Sequence, residues 1–475
     1  MRHCIDAIAA NPIARYAGLA MILIFFAAGC ARSPSTAHGL DLPLYFTCDT
    51  EGRLEPCGCF IGQFGGLSRL KTELDSQAIN TALRVDVGDA AAGHEDYDFI
   101  EYHYVLEAFA AMKYDALNVG DREAQFTAIQ LRQIKSNSPV PILSANLLDK
   151  ASQKPVFDSY RIVRRGSFNI AIIGVLDPNV VGDSIGDGLV VGDMDAAIQR
   201  CLAELRGKAD MIVLLAFTDE ATLTRLAQDY YECQVILGGK VRQPAQELSR
   251  VNRSLVYFVT NESRALGILH LRLVKDGLLQ VADNEILLLN DKIPQDPAVQ
   301  KMVQDYRTEI RQTKLAADDP NTLNADMVPG VRTAATYVGT QKCLACHPGA
   351  AAVWNASAHA HAFQALVERG AEADPKCISC HTVGFGDYSG YRRELAASHL
   401  VNVGCESCHG PGGLHIRQML GDKSVQFTFR PLDAGDCQKC HYGEFSRPFD
   451  WSRFWPLIQH GKEPQAATAS VAHLQ

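Results

Sequence analysis

Along the first two thirds of the chain, short apolar runs alternate with stretches whose apolar residues recur every three or four positions. Residues 43–47, 83–87, 116–119, 140–144, 170–175, 211–217 and 234–237 are apolar runs of strand length, the pattern of strands buried on both faces. Residues 67–74, 196–205 and 221–230 carry the helical period between several of them, which predicts strand-helix-strand units and an α/β domain. From 254 to 289 the pattern alternates, with a turn at Lys275-Asp276-Gly277, and 294–314 reads as one further helix. Residues 316–336, rich in Asp, Asn, Pro and Ala, read as a linker. Beyond Tyr337 the strand patterns vanish, and Gly, His and Cys dominate about 125 residues, a length that buries only a modest core by itself. Something other than side chains has to fill that interior.

The 475 residues carry a formal net charge of −9, with 47% hydrophobic and 21% charged residues, which suits a globular protein and offers no basic field for nucleic acid. At the start, Arg2 and Arg15 precede an apolar run, residues 17–28, too short to span a bilayer as a mature helix. It ends Ala27-Ala28-Gly29-Cys30, which resembles a bacterial lipoprotein signal with Cys30 as the lipid-attached first residue of the mature chain. An ordinary signal peptide cut nearby and a retained anchor are the alternatives. All of them place the folded part outside the cytoplasm, on the periplasmic or cell-surface side of a bacterial membrane. The expected organisation is a signal peptide (1–29), a lipidated tether (30–42), the α/β domain (43–314), a linker (315–336) and a mainly helical tail (337–475).

Eight of the fifteen cysteines form four identically spaced pairs, each followed at once by histidine. These are Cys343-Leu-Ala-Cys346-His347, Cys377-Ile-Ser-Cys380-His381, Cys405-Glu-Ser-Cys408-His409 and Cys437-Gln-Lys-Cys440-His441. Two cysteines three apart can form thioethers to the two vinyl groups of one heme, and the adjacent histidine then falls under the iron as proximal ligand. A single CxxC also suits a zinc knuckle or a redox dithiol, but not four copies with histidine always next. The tail therefore reads as a heme-packed, tetraheme c-type cytochrome domain. For distal ligands, the Ala-rich stretch 354–366 offers His359 and His361, which as a helix would face nearly opposite ways. His359, His415 after Gly410-Pro-Gly-Gly413, and His460 after the fourth motif are the candidates; His361, His399 and His473 are set aside.

The tail resembles the tetraheme cytochromes of the c-554 type, which take electrons from hydroxylamine oxidoreductase in ammonia oxidisers. The likeness runs from Gly339 to about His441: CLACH with Trp354 and Ser-Ala-His359-Ala, CISCH with Val-Gly-Phe-Gly386 and Gly390-Tyr391, then Val403-Gly-Cys-Glu-Ser-Cys-His-Gly-Pro-Gly412. It implies three hemes with two axial histidines and a five-coordinate heme at the second motif, over His381. His359 matches a distal ligand of that family and His415 matches one approximately. The family's histidine before the fourth motif is missing here, and His460 stands in for it.

The front domain resembles the metallophosphatase domain of secreted 5'-nucleotidases, a β-sandwich flanked by helices. Thr47-Cys-Asp49-Thr-Glu51-Gly, Gly65-Gly-Leu-Ser-Arg69, Val87-Gly-Asp89, Asn118-Val-Gly-Asp121-Arg-Glu123, Leu143-Ser-Ala-Asn146 and Ile236-Leu-Gly-Gly-Lys240 follow in family order. That family holds two divalent metals, and most of the ligands are gone. Glu51 replaces a histidine, Asp121 the asparagine and Arg122 the catalytic histidine, Lys240 and Arg242 replace the last two histidines, and only Asp49 and Asp89 match. Basic side chains there repel a dication and neutralise the carboxylates. A single divalent metal on Asp49, Glu51, Asp89 and Asp121 is the alternative. Cys48, Cys57 and Cys59 suggest a disulfide from Cys48 to Cys57 or Cys59, or else a thiolate metal site; Cys201 and Cys233 are a second bridge or two buried thiols.

Three functions remain in play. The first is an electron carrier between a donor and an acceptor protein, such as other cytochromes or a multiheme oxidoreductase, with the front domain as a non-catalytic docking unit and a lipid anchor in the membrane. The second is an oxidoreductase acting on a small nitrogen compound at an open heme, and the third a metal-dependent phosphoesterase.

Overall fold

The computed structural model describes residues 39–461 apart from 57–63, 78, 182–183, 242, 246, 261–262, 275–277, 319–335, 395–397 and 443–448. The leader, Cys30, Cys57, Cys59, the turn at Lys275-Asp276-Gly277 and most of the linker lie outside the described residues.

The apolar runs form strands because both of their faces meet apolar partners. In chain order the front region contains β1 (Leu40–Thr47), α1 (Leu67–Ser76), β2 (Leu83–Asp86), α2 (Asp96–Ala111), β3 (Ala116–Asn118), α3 (Ala128–Asn137), β4 (Ile142–Leu143), β5 (Leu147–Asp149), β6 (Tyr160–Arg165), β7 (Phe168–Leu176), α4 (Pro178–Val181), β8 (Leu189–Val191), α5 (Met194–Leu205), β9 (Met211–Phe217), α6 (Glu220–Asp229), β10 (Val235–Gly239), β11 (Ser249–Val251), β12 (Ser254–Phe258), β13 (Ala265–Val274), β14 (Leu278–Leu288) and α7 (Pro297–Gln312). One six-stranded sheet runs β14-β13-β1-β2-β3-β4, the other β11-β12-β10-β9-β7-β6, with β5 and β8 paired separately. β1 to β4 are parallel, as are β7, β9, β10 and β12, while β13 is antiparallel to β1.

Along β9 the side chains alternate between two cores, as a period of two requires. Val213 and Leu215 join Leu44, Val85 and Leu117 between the sheets. Leu214 and Ala216 face outward and are covered, with Ile198 of α5 and Leu223 and Leu226 of α6, in a second cluster. Across the sandwich, Phe46 and Tyr257 meet at 5.6 Å between ring centres. The domain is thus an α/β sandwich with helices outside, as the pattern predicts. β1, β2, β3, β9 and β10 all end on the same side, where ligand sites gather in such sheets.

The tail is helical and thinly packed. It contains α8 (Thr340–Leu344), α9 (Pro348–Asn355), α10 (Ala362–Val367), α11 (Pro375–His381), α12 (Cys405–His409), α13 (Gly413–Met419), α14 (Ala434–Gln438) and α15 (Trp451–Phe454). Its buried apolar cluster, among the described residues, is Leu366, Ala371, Ile378, Val383, Tyr391 and Leu400. The stretch 354–366 is not one helix. It breaks after α9, passes through a 3-10 turn at Ala358–His361 and restarts as α10, because Trp354 Nε1 is drawn to the Val403 carbonyl at 2.8 Å and Asn402 accepts the Phe363 amide at 2.9 Å.

The two regions share a seam. Arg393 reaches from the tail to Asp318, with Nε to Oδ1 at 2.9 Å, and to the Ile310 carbonyl at 2.8 Å. Arg311 pairs with Glu372 at 2.7 Å, and Lys376 pairs with Glu101 of α2. No helix among the described residues is long and apolar enough to cross a membrane.

Candidate functional site

Each CxxCH sits on a single helical turn or at its end, which aims its three side chains one way. The His347 amide bonds the Cys343 carbonyl at 3.1 Å and the His441 amide the Cys437 carbonyl at 2.9 Å, closing the turn. All twelve motif residues line one cavity of about 2550 Å³. That is more than twice the upper end of ordinary small-molecule sites, about 300–1,000 Å³. Cys343 lies against Cys405 and Cys380 against Cys440, while Cys437 is a close neighbour of Cys408. The order of contact is therefore first motif, third, fourth, second.

Three histidine pairs face each other across this cavity. Ring centres stand 6.2 Å apart for His347 and His415, 6.0 Å for His359 and His441, and 5.9 Å for His409 and His460. A metal bonded at about 2 Å to two imidazoles, with each ring centre roughly 1.1 Å behind its nitrogen, separates the centres by about 6 Å. The donor set and the cavity therefore fit iron porphyrins. Among the described residues, no histidine ring faces His381 at that spacing. The Nδ1 of His381 bonds the Ala362 carbonyl at 2.5 Å and that of His460 the Ile458 carbonyl at 3.1 Å, leaving Nε2 for a ligand bond. Burial pushes His359, His381, His409, His415 and His441 below the usual histidine range, which favours the neutral ring that can donate to iron.

At the strand ends of the front domain the carboxylates are occupied by the chain's own cations. Arg122 pairs with Glu51 at 2.9 Å, and Lys240 with Asp121 at 2.9 Å while standing 4.0 Å from Asp89. Burial pushes Asp49 up to about 6, against the hydrogen bond from Thr260. Burial, then Glu123, raises Asp89 well above the carboxylate range. Asp49, Glu51, Asp89 and Lys240 all have φ between 48° and 57°, a left-handed backbone costly for side-chain-bearing residues and typical of functional loops. Among the described residues, no three His, Cys, Asp or Glu side chains converge to hold a metal, so the quartet Asp49, Glu51, Asp89 and Asp121 is not gathered into a cage. Cys48 is buried beside Asp49 and the Gly88 carbonyl, while Cys57 and Cys59, its expected partners in a disulfide or a thiolate metal site, lie outside the described residues. Cys201 and Cys233 are separate buried thiols.

Residues 342–410 match the family model of cytochrome c554 and c-prime. The chain is 39% identical over 103 residues to cytochrome c-554 of Nitrosomonas europaea, a match covering 18% of this chain and 42% of that protein. It is 26% identical over 215 residues to the 5'-nucleotidase of Vibrio cholerae, covering 42% of this chain and 38% of that protein. The chain thus spans about two fifths of each of these relatives. In fold, the NAD nucleotidase of Haemophilus influenzae superposes with a TM-score of 0.50 at 17% identity, over 57% of this chain and 60% of that one. A cytochrome c-554-like segment follows a 5'-nucleotidase-like α/β domain.

Several residues that shape these sites carry no signal in the sequence. Glu406, inside the third motif, is buried and accepts the amides of Val338 at 3.0 Å, Gly339 at 2.8 Å and Gly412 at 2.7 Å, so it ties the tail's entry to the glycines before His415. Glu123 likewise takes the amides of Asp89, Ala91 and Gly120. Their types are ordinary for surface positions, and only the fold turns them inward.

Proposed function

We propose that this chain is an exported, lipid-anchored tetraheme cytochrome that passes electrons between a donor and an acceptor protein, with a front domain that docks or positions it and does not catalyse. The observation that carries the reading is the set of three facing histidine pairs in one cavity shared by all four CxxCH motifs. Cys343 and Cys346, Cys377 and Cys380, Cys405 and Cys408, and Cys437 and Cys440 hold four hemes; His347, His381, His409 and His441 are proximal, with His415, His460 and His359 distal to the first, third and fourth. When bound, such groups supply one-electron exchange and, at an iron with an empty sixth position, a place for a small ligand. The chain's part is to fix each imidazole, exclude water, and bring neighbouring motifs into contact in the order one, three, four, two, which makes a path for electrons.

A redox titration of the intact protein, followed by optical and electron-paramagnetic spectra with mass spectrometry of the mature chain, tests this. Four heme additions with three low-spin sites and one high-spin site are expected. Fewer than four additions in a competent host would refute the tetraheme reading. Cys30→Ser should release the protein from membranes.

A second reading, an oxidoreductase acting on a small nitrogen compound, is favoured by one observation: among the described residues, no histidine ring faces His381. Reduced protein should then bind carbon monoxide at one heme, and His359→Ala should open another. Phosphoesterase activity has Arg122 and Lys240 against it, since both stand where metal would be held, and a divalent-metal-dependent phosphatase assay decides it.

A further inference from the structure

The cavity of the four motifs is not walled by the cytochrome-like segment alone. Arg53, Glu101, Val303, Tyr306 and Arg307 of the front domain line it too. At the second motif this wall carries an excess of buried acid. Lys376, beside Cys377, pairs with Glu101 of α2 and stands 3.4 Å from Asp98, while Asp374 accepts the Lys376 amide at 3.0 Å. Three carboxylates, on Asp98, Glu101 and Asp374, thus share one ammonium, and all three residues are buried. The packing over them is tight enough to specify glycine: Gly52 has φ +73°, and a Cβ there would collide with Glu101 Oε2.

The three carboxylates are not equivalent. Asp98 accepts the Glu95 amide at 3.2 Å at the start of α2, and Asp374, at the start of α11, accepts the Lys376 amide and the Tyr306 hydroxyl. Donors of that kind favour the charged form. Glu101 lies inside α2, where the neighbouring amides are spent on the helix, and it leans on Lys376 for its charge. Burial, joined by the repulsion of Asp374 and Asp98 and opposed by Lys376, pushes Glu101 up to about 7. Burial disfavours the charged Lys376 too, but Glu101, Asp98 and Asp374 outweigh it and hold the ammonium. Around the cluster stand Tyr97, Tyr306, Arg53 and Arg307, and Arg307 is already taken by Glu55 and, at 2.9 Å, by the Arg369 carbonyl. Glu101 is therefore the member of the cluster most able to change its protonation near neutral pH.

We infer that Glu101 is a proton-binding site coupled to the heme of Cys377, Cys380 and His381, taking up a proton when that heme is reduced and releasing it on oxidation. This rests on the tetraheme reading above. An electron arriving beside a buried acid cluster adds negative charge where water screens it poorly, and so raises the proton affinity of the carboxylate that is free to change. The balance is one electron from the donor protein to ferric iron and one proton from solvent to the Glu101 carboxylate, leaving ferrous iron and a neutral carboxyl. It gives the front domain a role that needs none of its lost metal ligands, and one that requires both regions in one chain, because Glu101 belongs to the first and Lys376 to the second.

Redox titration of the full-length holoprotein at a series of pH values tests the inference, with the high-spin electron-paramagnetic signal reporting the second site. Its midpoint should fall as pH rises above about 7, because there the reduced form alone holds the proton. The slope should not exceed about 59 mV per pH unit, the one-electron equivalent of a tenfold change in proton concentration. In Glu101→Gln, whose amide stands for the neutral acid, that fall should be lost, while the low-spin sites keep their own behaviour. Reduced-minus-oxidised infrared spectra of the wild-type protein should gain a protonated-carboxyl band, a reading that does not depend on how well the variant folds. A flat second-site midpoint in the wild-type protein, a missing carboxyl band, or an unchanged fall in Glu101→Gln overturns the inference and leaves the tetraheme reading standing. Fewer than four heme additions overturns the tetraheme reading by a count that Glu101 does not affect. If all four sites prove low-spin, the open-position reading fails alone, and the inference is decided by whether one of the four midpoints loses its pH dependence in the variant.

Discussion

The front domain and the tail solve the problem of an interior in opposite ways. The front domain stacks two sheets and covers the outer face of one with helices, so that successive residues of β9 are buried on alternate sides. The tail, from short helices, gathers only Leu366, Ala371, Ile378, Val383, Tyr391 and Leu400 in a buried apolar cluster, among the described residues. Around its motifs is instead a cavity of about 2550 Å³ lined by cysteine and histidine. The first region gets its interior from side chains. The second needs its cofactors for one, and binding free energy there becomes folding free energy.

The sharpest way to break this contrast is to withhold the cofactor. Expressed in a host unable to attach heme, the tail should lose its helical structure and be cut by protease, while the front domain remains as a resistant fragment that melts cooperatively. Circular dichroism and limited proteolysis measure it, and a tail that stays folded without heme would end the comparison.

The seam offers the next largest effect. Arg393 and Asp318 are both nearly buried, at 8% and 2% side-chain exposure, and removing one partner of such a pair leaves a charge uncompensated. Arg393→Ala should destabilise the protein by about 3 kcal/mol and make the tail cleavable even with its hemes. The pair also predicts a pH dependence. Burial raises the pKa of Asp318, but the Arg393 guanidinium and the Leu315 amide outweigh it and hold the carboxyl below its usual value. A depressed folded pKa gives stability that is present above about pH 4 and lost as pH falls below it, so the wild-type protein should loosen in acid and Asp318→Asn should show less of that loss.

How far the sequence discloses these regions follows from what kind of signal each carries. Residues 211–217 read as a strand because seven apolar residues in a row have no other economical packing, and β9 spans the same seven. The motifs were equally legible because thioether chemistry fixes both spacing and neighbour. α2 carries no such signal: its buried face holds the carboxylates Asp98 and Glu101 beside Tyr102, Val105, Leu106 and Phe109, so charged and apolar residues share one side and the amphipathic period is lost. The pairing of His359 with His441, and of His409 with His460, joins residues remote in the chain, and no local pattern encodes that. The seam was invisible for the same reason, since Arg393, Lys376 and Glu101 are ordinary charged residues until the two regions meet.

The smallest effect separates a neutralised site from a metal site at the front domain's strand ends. Lys240 is 40% exposed and pairs with Asp121, so the pair is partly screened by solvent. Lys240→Ala should therefore cost no more than about 1 kcal/mol. Its electrostatic consequence is larger than its energetic one, because Asp121 and Asp89 both lose their nearest ammonium, 2.9 Å and 4.0 Å away. Burial already disfavours the charged form of Asp89, so a cation in solution becomes the remaining means of stabilising it. Manganese added to the wild-type protein should leave the melting temperature of the front domain in place, whereas manganese added to the Lys240→Ala variant should raise it. A manganese-dependent rise in the wild-type protein would show that Arg122 and Lys240 do not exclude a cation, and the front domain would then have to be read as a metal-binding domain.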